Sequence, residues 1–172
     1  MENEALFAFG ECPWQDKKFF QKEVQLVKSL DSRPVVITDS GEWSFWFTPA
    51  RLGDMVGITI YRQVWSEQLN SYRTYFLPPV FYGRKALLIK LLFGKKVICT
   101  ELQAEPWGPK LLYDVPPEEQ KKTMNLEQFR KNIAYAKRTG LNEFYLWGGE
   151  WWFWMKKEGY PEIWQEAKRL FM

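Results

Sequence analysis

Two glutamates in the segment KKVICTELQAEPWGP (95–109) are the residues best placed to do chemistry in this sequence. Glu101 follows the short apolar run 97–99, and Glu105 stands four residues further on, close to Trp107. Burying an isolated charge is very costly, so a carboxylate delivered by a buried strand must be paired, solvated or used. Two acids beside a tryptophan indicate acid–base chemistry on a substrate that can pack against an aromatic ring.

The absence of histidine narrows that chemistry. The sequence has none, which excludes Ser-His-Asp and Cys-His catalysis and histidine-ligated metals. Carboxylates and tyrosines are then the acid–base groups left to an enzyme. The two cysteines, Cys12 and Cys99, lack the spacing of a metal site or a disulfide framework, and we interpret both as free thiols. We therefore expect neither a metal nor a cofactor.

The composition is that of one soluble domain. The chain has 172 residues, of which 46% are hydrophobic, enough for a sizeable core. Ten tryptophans indicate either stacking surfaces or core packing. The net charge of +3 is small and spread along the chain, so we expect no nucleic-acid partner. We also expect no membrane span and no signal peptide, and the cellular location stays open.

Strand-like and helical segments alternate along the chain, which predicts an α/β fold. Short apolar runs predict strands at 35–38, 55–61, 96–101 and 143–147. Helical spacing and end signals predict helices at 14–30, 48–54, 78–96, 125–140 and 161–172. A long aromatic loop is expected after the second strand. The helix at 78–96 also fits a helix that lies on a membrane surface, but its place between two strands favours packing on the sheet.

Polar or aromatic residues follow every predicted strand. In α/β barrels the loops after the strands carry the chemistry, so these positions are where functional residues are expected. Their sequences are Asp-Ser-Gly-Glu at 39–42, Tyr-Arg at 61–62, Glu-Leu-Gln-Ala-Glu at 101–105 and Trp-Gly-Gly-Glu at 147–150.

The start of the chain offers a further case. If residues 1–4 end another strand, Glu4 of the pair Asn3-Glu4 projects into the same pocket as Glu101. Two opposed carboxylates lined by Trp and Tyr suit glycoside hydrolysis, in which one carboxyl group donates a proton to the leaving oxygen and the other attacks. Their mutual repulsion helps to separate the two pKa values.

On these motifs the sequence resembles the retaining glycoside hydrolases with a (β/α)8 (TIM) barrel, the clan that includes the cellulase-like family 5 enzymes. The resemblance implies that Glu4, at the end of strand 4, is the acid/base and that Asn3 contacts the sugar 2-hydroxyl. It implies that Glu101, after Thr100 at the end of strand 7, is the nucleophile. Tyr61, at the end of strand 6, would hydrogen-bond that nucleophile.

Further residues are expected to bind the substrate. The resemblance makes Trp147, at the end of strand 8, the floor of the sugar subsite next to the scissile bond; the alternative is a core aromatic. The planar fork of Arg62 suits pairing with a carboxylate in the pocket. Glu105 rivals Glu101 for the nucleophile role, but its later position favours substrate binding or bracing of the loop. Trp107 is a candidate to line an outer subsite.

Two departures from the family pattern shape the prediction. In the first, Ala5 stands where the strand 4 motif has proline. In the second, strands 1 to 3 are missing, because a barrel of this kind takes roughly 250 residues and this sequence supplies only the second half. We therefore expect residues 1–172 to be the C-terminal half of the catalytic domain, a partial TIM barrel from the end of strand 4 through helix 8. The exposed edges of such a half invite pairing, so we expect self-association or a need for the N-terminal half.

The function expected from the resemblance is retaining hydrolysis of a β-linked polysaccharide or oligosaccharide, with a carbohydrate as the partner. Two alternatives stay open. One is a non-catalytic carbohydrate-binding module that uses tryptophan platforms, and the other is an inactive gene fragment.

Overall fold

A four-stranded parallel sheet organises the chain. The computed structural model describes residues 16–172. The strands of the sheet, in their order across it, are β1 (Val36–Asp39), β2 (Met55–Ile60), β5 (Lys96–Gln103) and β6 (Phe144–Trp147). Each strand of the sheet therefore lies next to the sheet strand that precedes it along the chain. Two further strands, β3 (Gln63–Ser66) and β4 (Ser71–Thr74), form a separate antiparallel hairpin. The parallel strands lie where the sequence predicts them, which confirms the mixed α/β class.

The helices begin and end at recognisable signals. Asp16 accepts a hydrogen bond from the amide of Lys18, Asn125 accepts one from the amide of Gln128, and Gly94 ends its helix in the left-handed conformation. Within residues 16–172 no helix is long and apolar enough to cross a membrane. The bounds are α1 (Lys17–Leu30), α2 (Phe47–Leu52), α3 (Pro79–Phe93), α4 (Pro117–Gln120), α5 (Leu126–Lys137), α6 (Gly149–Lys157) and α7 (Glu162–Arg169), with a 3-10 turn at Leu112–Asp114.

The hydrophobic core lies on one face of the sheet. Alternate residues of β2 and β5 pack against buried side chains of α3 and α5, and Ile37 of β1 packs against Phe20 and Val24 of α1 on the same face. The residues of β2 and β5 in this core are Val56, Ile58, Ile60, Val97, Cys99 and Leu102.

Strand β5 carries one residue more than its neighbours. The residues of β2 that pair with Cys99 and with Glu101 are consecutive, so Thr100 has no partner in the ladder, and the pairing with β6 shifts at the same place. This bulge changes the alternation of side chains. Cys99 and Leu102 both reach the core although three positions separate them. Glu101 therefore faces the opposite side of the sheet.

That opposite side is concave. Thr38 of β1 and Thr100 of β5 are separated by β2, yet their hydroxyl oxygens lie 3.3 Å apart. In a flat sheet, strands two places apart are separated by roughly 10 Å, which is too far for such short side chains to meet. The contact passes over Gly57, where a β-carbon would come within 2.8 Å of both threonines. The sheet therefore bends towards the side that holds Glu101.

The aromatic segment after β6 forms α6, which the sequence did not predict. Trp151 and Trp152 are buried in a second core with α5 and α7, and Trp154 packs at its edge. The indole of Trp151 donates to the side chain of Gln120, and that of Trp152 donates to the carbonyl of Ala104. These tryptophans support the fold.

The long aromatic loop predicted after β2 contains two short strands, β3 and β4, which the sequence did not predict. Trp65 and Tyr72 face each other across this hairpin with their ring centroids 4.9 Å apart. Cross-strand aromatic pairs of this kind stabilise an antiparallel ladder.

Candidate functional site

Glu101 is the buried carboxylate at the C-terminal end of the parallel sheet. Its side chain is only 8% exposed, and β5 continues two residues further, to Gln103, than the sequence predicts. The phenol of Tyr61 donates a hydrogen bond to Oε2 of Glu101 at 2.8 Å, the partner that the resemblance assigns to it. Burial raises the pKa of Glu101, and the bond from Tyr61 opposes that rise.

Tyr61 is a fixed donor to Glu101. Burial, followed by the charge of Glu101, raises the pKa of the phenol well above its usual value, so it keeps its proton. The ring packs edge-on against Trp107, with centroids 5.1 Å apart. The backbone amide of Tyr61 donates to Glu42, which also accepts from the phenol of Tyr82. Ring, backbone and hydroxyl are therefore all held.

A second carboxylate, Glu105, pairs with Trp147. The indole Nε1 of Trp147 donates to Oε1 of Glu105 at 2.9 Å. The pKa of Glu105 is raised to about 7, mainly by burial and to a smaller extent by the charges of Glu150 and Glu101, while the bond from Trp147 opposes the rise. Trp147 is 48% exposed, so much of its ring surface is open to a ligand. This pair offers an acid that titrates near neutral pH beside an aromatic surface.

Gly148 lets Trp147 approach the end of β5. Its φ is +143°, and a β-carbon there would lie 2.8 Å from the carbonyl oxygen of Ala104 and 2.9 Å from the β-carbon of Glu105. The amide of Ala104 donates to the carbonyl of Trp147 at 3.0 Å. Any side chain at position 148 would therefore push Trp147 away from Glu105.

Gln103 connects the site to the hairpin, a role that the sequence did not reveal. Its buried side-chain oxygen accepts from the backbone amides of Arg62 and Gln63, and its amide group donates to the carbonyl of Gln63 at 2.6 Å. A polar residue following an apolar strand was the available signal, but nothing in the sequence indicated the partners. The clamp fixes the chain directly after Tyr61.

Arg62 does not form the carboxylate pair that the sequence suggested. Its guanidinium carbon lies 4.0 Å from the ring centroid of Tyr135, and Nη1 donates to the carbonyl of Leu77. Within residues 16–172 its side chain takes part in no salt bridge. The guanidinium therefore points towards α3 and α5, and substrate binding by Arg62 stays a prediction.

The loop after β1 is held by a half-buried lysine. The ammonium group of Lys85 donates to the carbonyls of Gly41 and Ser44 and lies 3.8 Å from the ring centroid of Trp46. Burial lowers the pKa of Lys85 to about 8. Asp39, the last residue of β1, is buried and accepts from the amide of Ser40 and the hydroxyl of Ser44. Asp39 therefore caps its own loop.

The structure brings five of the predicted site residues together. We call Tyr61, Glu101, Glu105, Trp107 and Trp147 the strand-end cluster. Asn3 and Glu4 lie outside the described residues. Within the described part of the chain, no group of acids and cysteines has the arrangement of a metal site.

Replacing Glu105 with glutamine should flatten the pH dependence of stability. The pKa of about 7 in the folded chain lies above the ordinary value of 4.5, so folding favours the protonated form. This contribution is complete below about pH 4.5 and is lost as the pH rises through about 7. Urea unfolding at about pH 5 and pH 8 should show a smaller loss of unfolding free energy for Glu105→Gln than for the wild type.

Glu67→Gln is the matched control, because Glu67 is an exposed carboxylate in the hairpin turn. Its pH dependence should follow the wild type. Identical slopes for Glu105→Gln and the wild type would contradict a raised pKa at Glu105.

Comparison with known proteins assigns no function to this site. No family model, no curated protein and no solved structure significantly matches the chain.

Proposed function

We propose that the chain hydrolyses β-linked glycans with retention of configuration, with Glu101 as the nucleophile. The observation that carries this proposal is the strand-end cluster. It combines a buried carboxylate held by Tyr61 with a second carboxylate bonded to the half-exposed Trp147. Glycoside hydrolysis requires two carboxyl groups, and an exposed aromatic ring beside them can pack against a sugar.

In this mechanism the ionised Glu101 attacks the anomeric carbon and forms a glycosyl-enzyme. The hydrogen bond from Tyr61 fixes the orientation of the carboxylate and, because Tyr61 keeps its proton, favours the ionised form. The resemblance assigns the acid/base role to Glu4, which would protonate the leaving oxygen and then activate water. The two reacting carboxyl groups should lie about 5–5.5 Å apart, as retention requires.

The remaining members of the cluster would bind the sugar. The exposed ring of Trp147 offers a stacking surface for the apolar face of a pyranose. Glu105, which titrates near neutral pH, can accept from or donate to a sugar hydroxyl. The ring of Trp107 packs edge-on against the ring of Tyr61 and adds aromatic surface beside it.

The sheet supports a half-barrel as the scaffold. Its strands are parallel and follow one another in chain order, the described cores lie on one face, and the other face is concave. A doubly wound sheet would reverse its strand order and cover both faces with helices, whereas a barrel keeps its helices outside. We therefore propose that β1, β2, β5 and β6 are strands 5 to 8 of a TIM barrel.

Sequencing the DNA upstream of the Met1 codon tests the scaffold separately from the activity. An open frame encoding about three further βα units would support the barrel. A stop codon directly upstream would count against a single-chain barrel, and the missing strands would then have to come from another chain.

The reaction is tested by incubating the full chain with 4-nitrophenyl β-glycosides of glucose, mannose, xylose and galactose and with soluble β-glucan. Proton NMR then identifies the anomer released first. We expect nitrophenol release from at least one glycoside and the β-anomer as the first product. Release of the α-anomer first would overturn the retaining mechanism.

A second candidate, a non-catalytic carbohydrate-binding module, is favoured by the exposure of Trp43, 67%, and of Trp147. Such a module would bind β-glucan in affinity electrophoresis without hydrolysing it. Glu101→Gln would then leave that binding unchanged, whereas Trp147→Ala would weaken it.

A further inference from the structure

The outward face of α3 is apolar, where a surface helix normally presents polar residues to water. Its side chains are between 44% and 73% exposed. We call this group the α3 leucine face: Val80, Leu87, Leu88, Leu91 and Leu92. The contrast with α5 is direct, since the exposed positions of α5 include Glu127, Arg130, Lys131 and Lys137.

The leucine face is distinct from the side of α3 that packs on the sheet. Tyr82 and Ile89 are fully buried in the core, so α3 already has an apolar side turned inwards. Leu87 and Leu91 are four residues apart, as are Leu88 and Leu92, so each pair forms a ridge; the first ridge lies opposite the packed side and the second beside it. An exposed apolar surface of this kind indicates an interaction site.

The exposed apolar surface continues beyond the helix. Phe93, at the end of α3, contacts Phe47 with ring centroids 5.8 Å apart. Phe47 in turn stacks on the exposed Phe45, with centroids 6.0 Å apart. The apolar surface thus extends from α3 towards the start of α2.

Basic side chains surround the leucine face. Residues 79–96 contain five cations and no acid. Lys85 turns inwards to backbone carbonyls, and Lys96 pairs with Glu143 at 2.5 Å. Arg84, Lys90 and Lys95 form no ion pair with any residue in 16–172. The surface that covers the leucine face should therefore be both apolar and anionic.

We propose that the leucine face binds the surface of a bilayer that contains anionic lipid, with α3 lying in the plane of the interface. Binding at the headgroup boundary grows with the apolar area buried there and with the attraction of basic side chains to anionic lipid, and α3 offers both on its exposed side. With 15 residues, α3 is too short to span a bilayer, which takes about 20. A symmetric pair of chains is disfavoured, because a twofold contact would turn the basic side chains of one chain towards those of the other.

Co-sedimentation of the full chain with vesicles tests this proposal. The vesicles are phosphatidylcholine alone or phosphatidylcholine with about one quarter phosphatidylglycerol. Three cations near the surface are enough for at least about a tenfold preference for the anionic vesicles. The preference should fall when the salt concentration is raised to about 0.5 M.

The double variant Leu91→Glu/Leu92→Glu should bind anionic vesicles at least about tenfold more weakly. Both side chains are exposed, so the melting temperature should stay close to that of the wild type. The matched control is Ala134→Glu, which places the same charge at an exposed position of α5 and should leave vesicle binding unchanged.

Three results would overturn the proposal. In the first, the wild type fails to sediment with anionic vesicles. In the second, the double variant binds these vesicles as well as the wild type does. In the third, light scattering would show a dimer of the wild type that the double variant abolishes, with no lipid binding by either protein. That last result would assign the leucine face to a second copy of the chain.

Discussion

Glutamine in place of Glu101 should lower the rate of glycoside hydrolysis at least about 1000-fold while the chain stays folded. Glutamine has nearly the same size, and its side-chain oxygen can still accept the hydrogen bond that Tyr61 donates to Glu101. It cannot attack the anomeric carbon, so the glycosyl-enzyme cannot form. The measurement is the initial rate on the 4-nitrophenyl glycoside that the wild type cleaves fastest, together with the melting temperature.

Two further variants make this result specific. Glu67→Gln removes an exposed carboxylate and should keep the wild-type rate. In Glu101→Ala, added azide can take the place of the missing carboxylate, so nitrophenol release should recover and an α-glycosyl azide should accumulate. A wild-type rate for Glu101→Gln, with complete loss for Glu105→Gln, would instead make Glu105 the nucleophile.

Alanine in place of Trp46 should reduce the free energy of unfolding by about 4 kcal/mol. Trp46 is fully buried, so the truncation leaves a large cavity. The indole also donates to the carbonyl of Ser40 at 2.7 Å, and its ring faces the ammonium group of Lys85. Both groups would lose a partner in the interior. Urea unfolding at about pH 7 measures the effect.

Trp43→Ala is the matched control, because it removes the same residue type from the same loop. Trp43 is mostly exposed and meets Tyr75 only edge-on, with ring centroids 5.8 Å apart. We expect a cost below about 1 kcal/mol. Equal losses for the two variants would show that the interior position of Trp46 contributes no additional stability.

The parallel strands could be predicted because their sequences carry the signal directly. Strands of this type are buried on both sides and therefore read as unbroken β-branched or apolar runs, as in VVIT and MVGITIY. The helices could be predicted from their ends, since Asn125 caps α5 and Gly94 ends α3. These signals are local and survive without knowledge of the neighbours.

The bulge at Thr100 and the β3–β4 hairpin could not be predicted, because their causes are not local. Nothing in ICTEL shows that one residue will leave the ladder; that depends on the pairing with two other strands. The hairpin turn, at 67–70, lacks an Asn-Gly or Asp-Gly pair, the strongest hairpin signal. Asn70 supplies the left-handed residue instead, with φ of +45°.

The strand-end cluster also depends partly on local signals and partly on contacts between distant residues. Tyr61, Glu101 and Trp147 could be placed at one end of the sheet because parallel strands end at a common edge. The direction of Arg62 could not, since it depends on Tyr135 and Leu77, which are remote in the sequence. Strand order alone places a residue at an edge, and its tertiary contacts decide where the side chain points.

The bulge also means that β5 consists of two half-strands with independent phases. Side chains alternate between the two faces along a strand. Counted forward from Val97, this alternation would place Glu101 on the core side, but counted back from Gln103 it places Glu101 on the concave side. The alternation changes at Thr100. Deleting Thr100 would merge the halves into one regular strand and leave every other side chain of β5 on its present face. A one-residue gap at this position in a related sequence would therefore be compatible with an intact site. A second residue inserted there would have to be absorbed by a still larger distortion of the central strand.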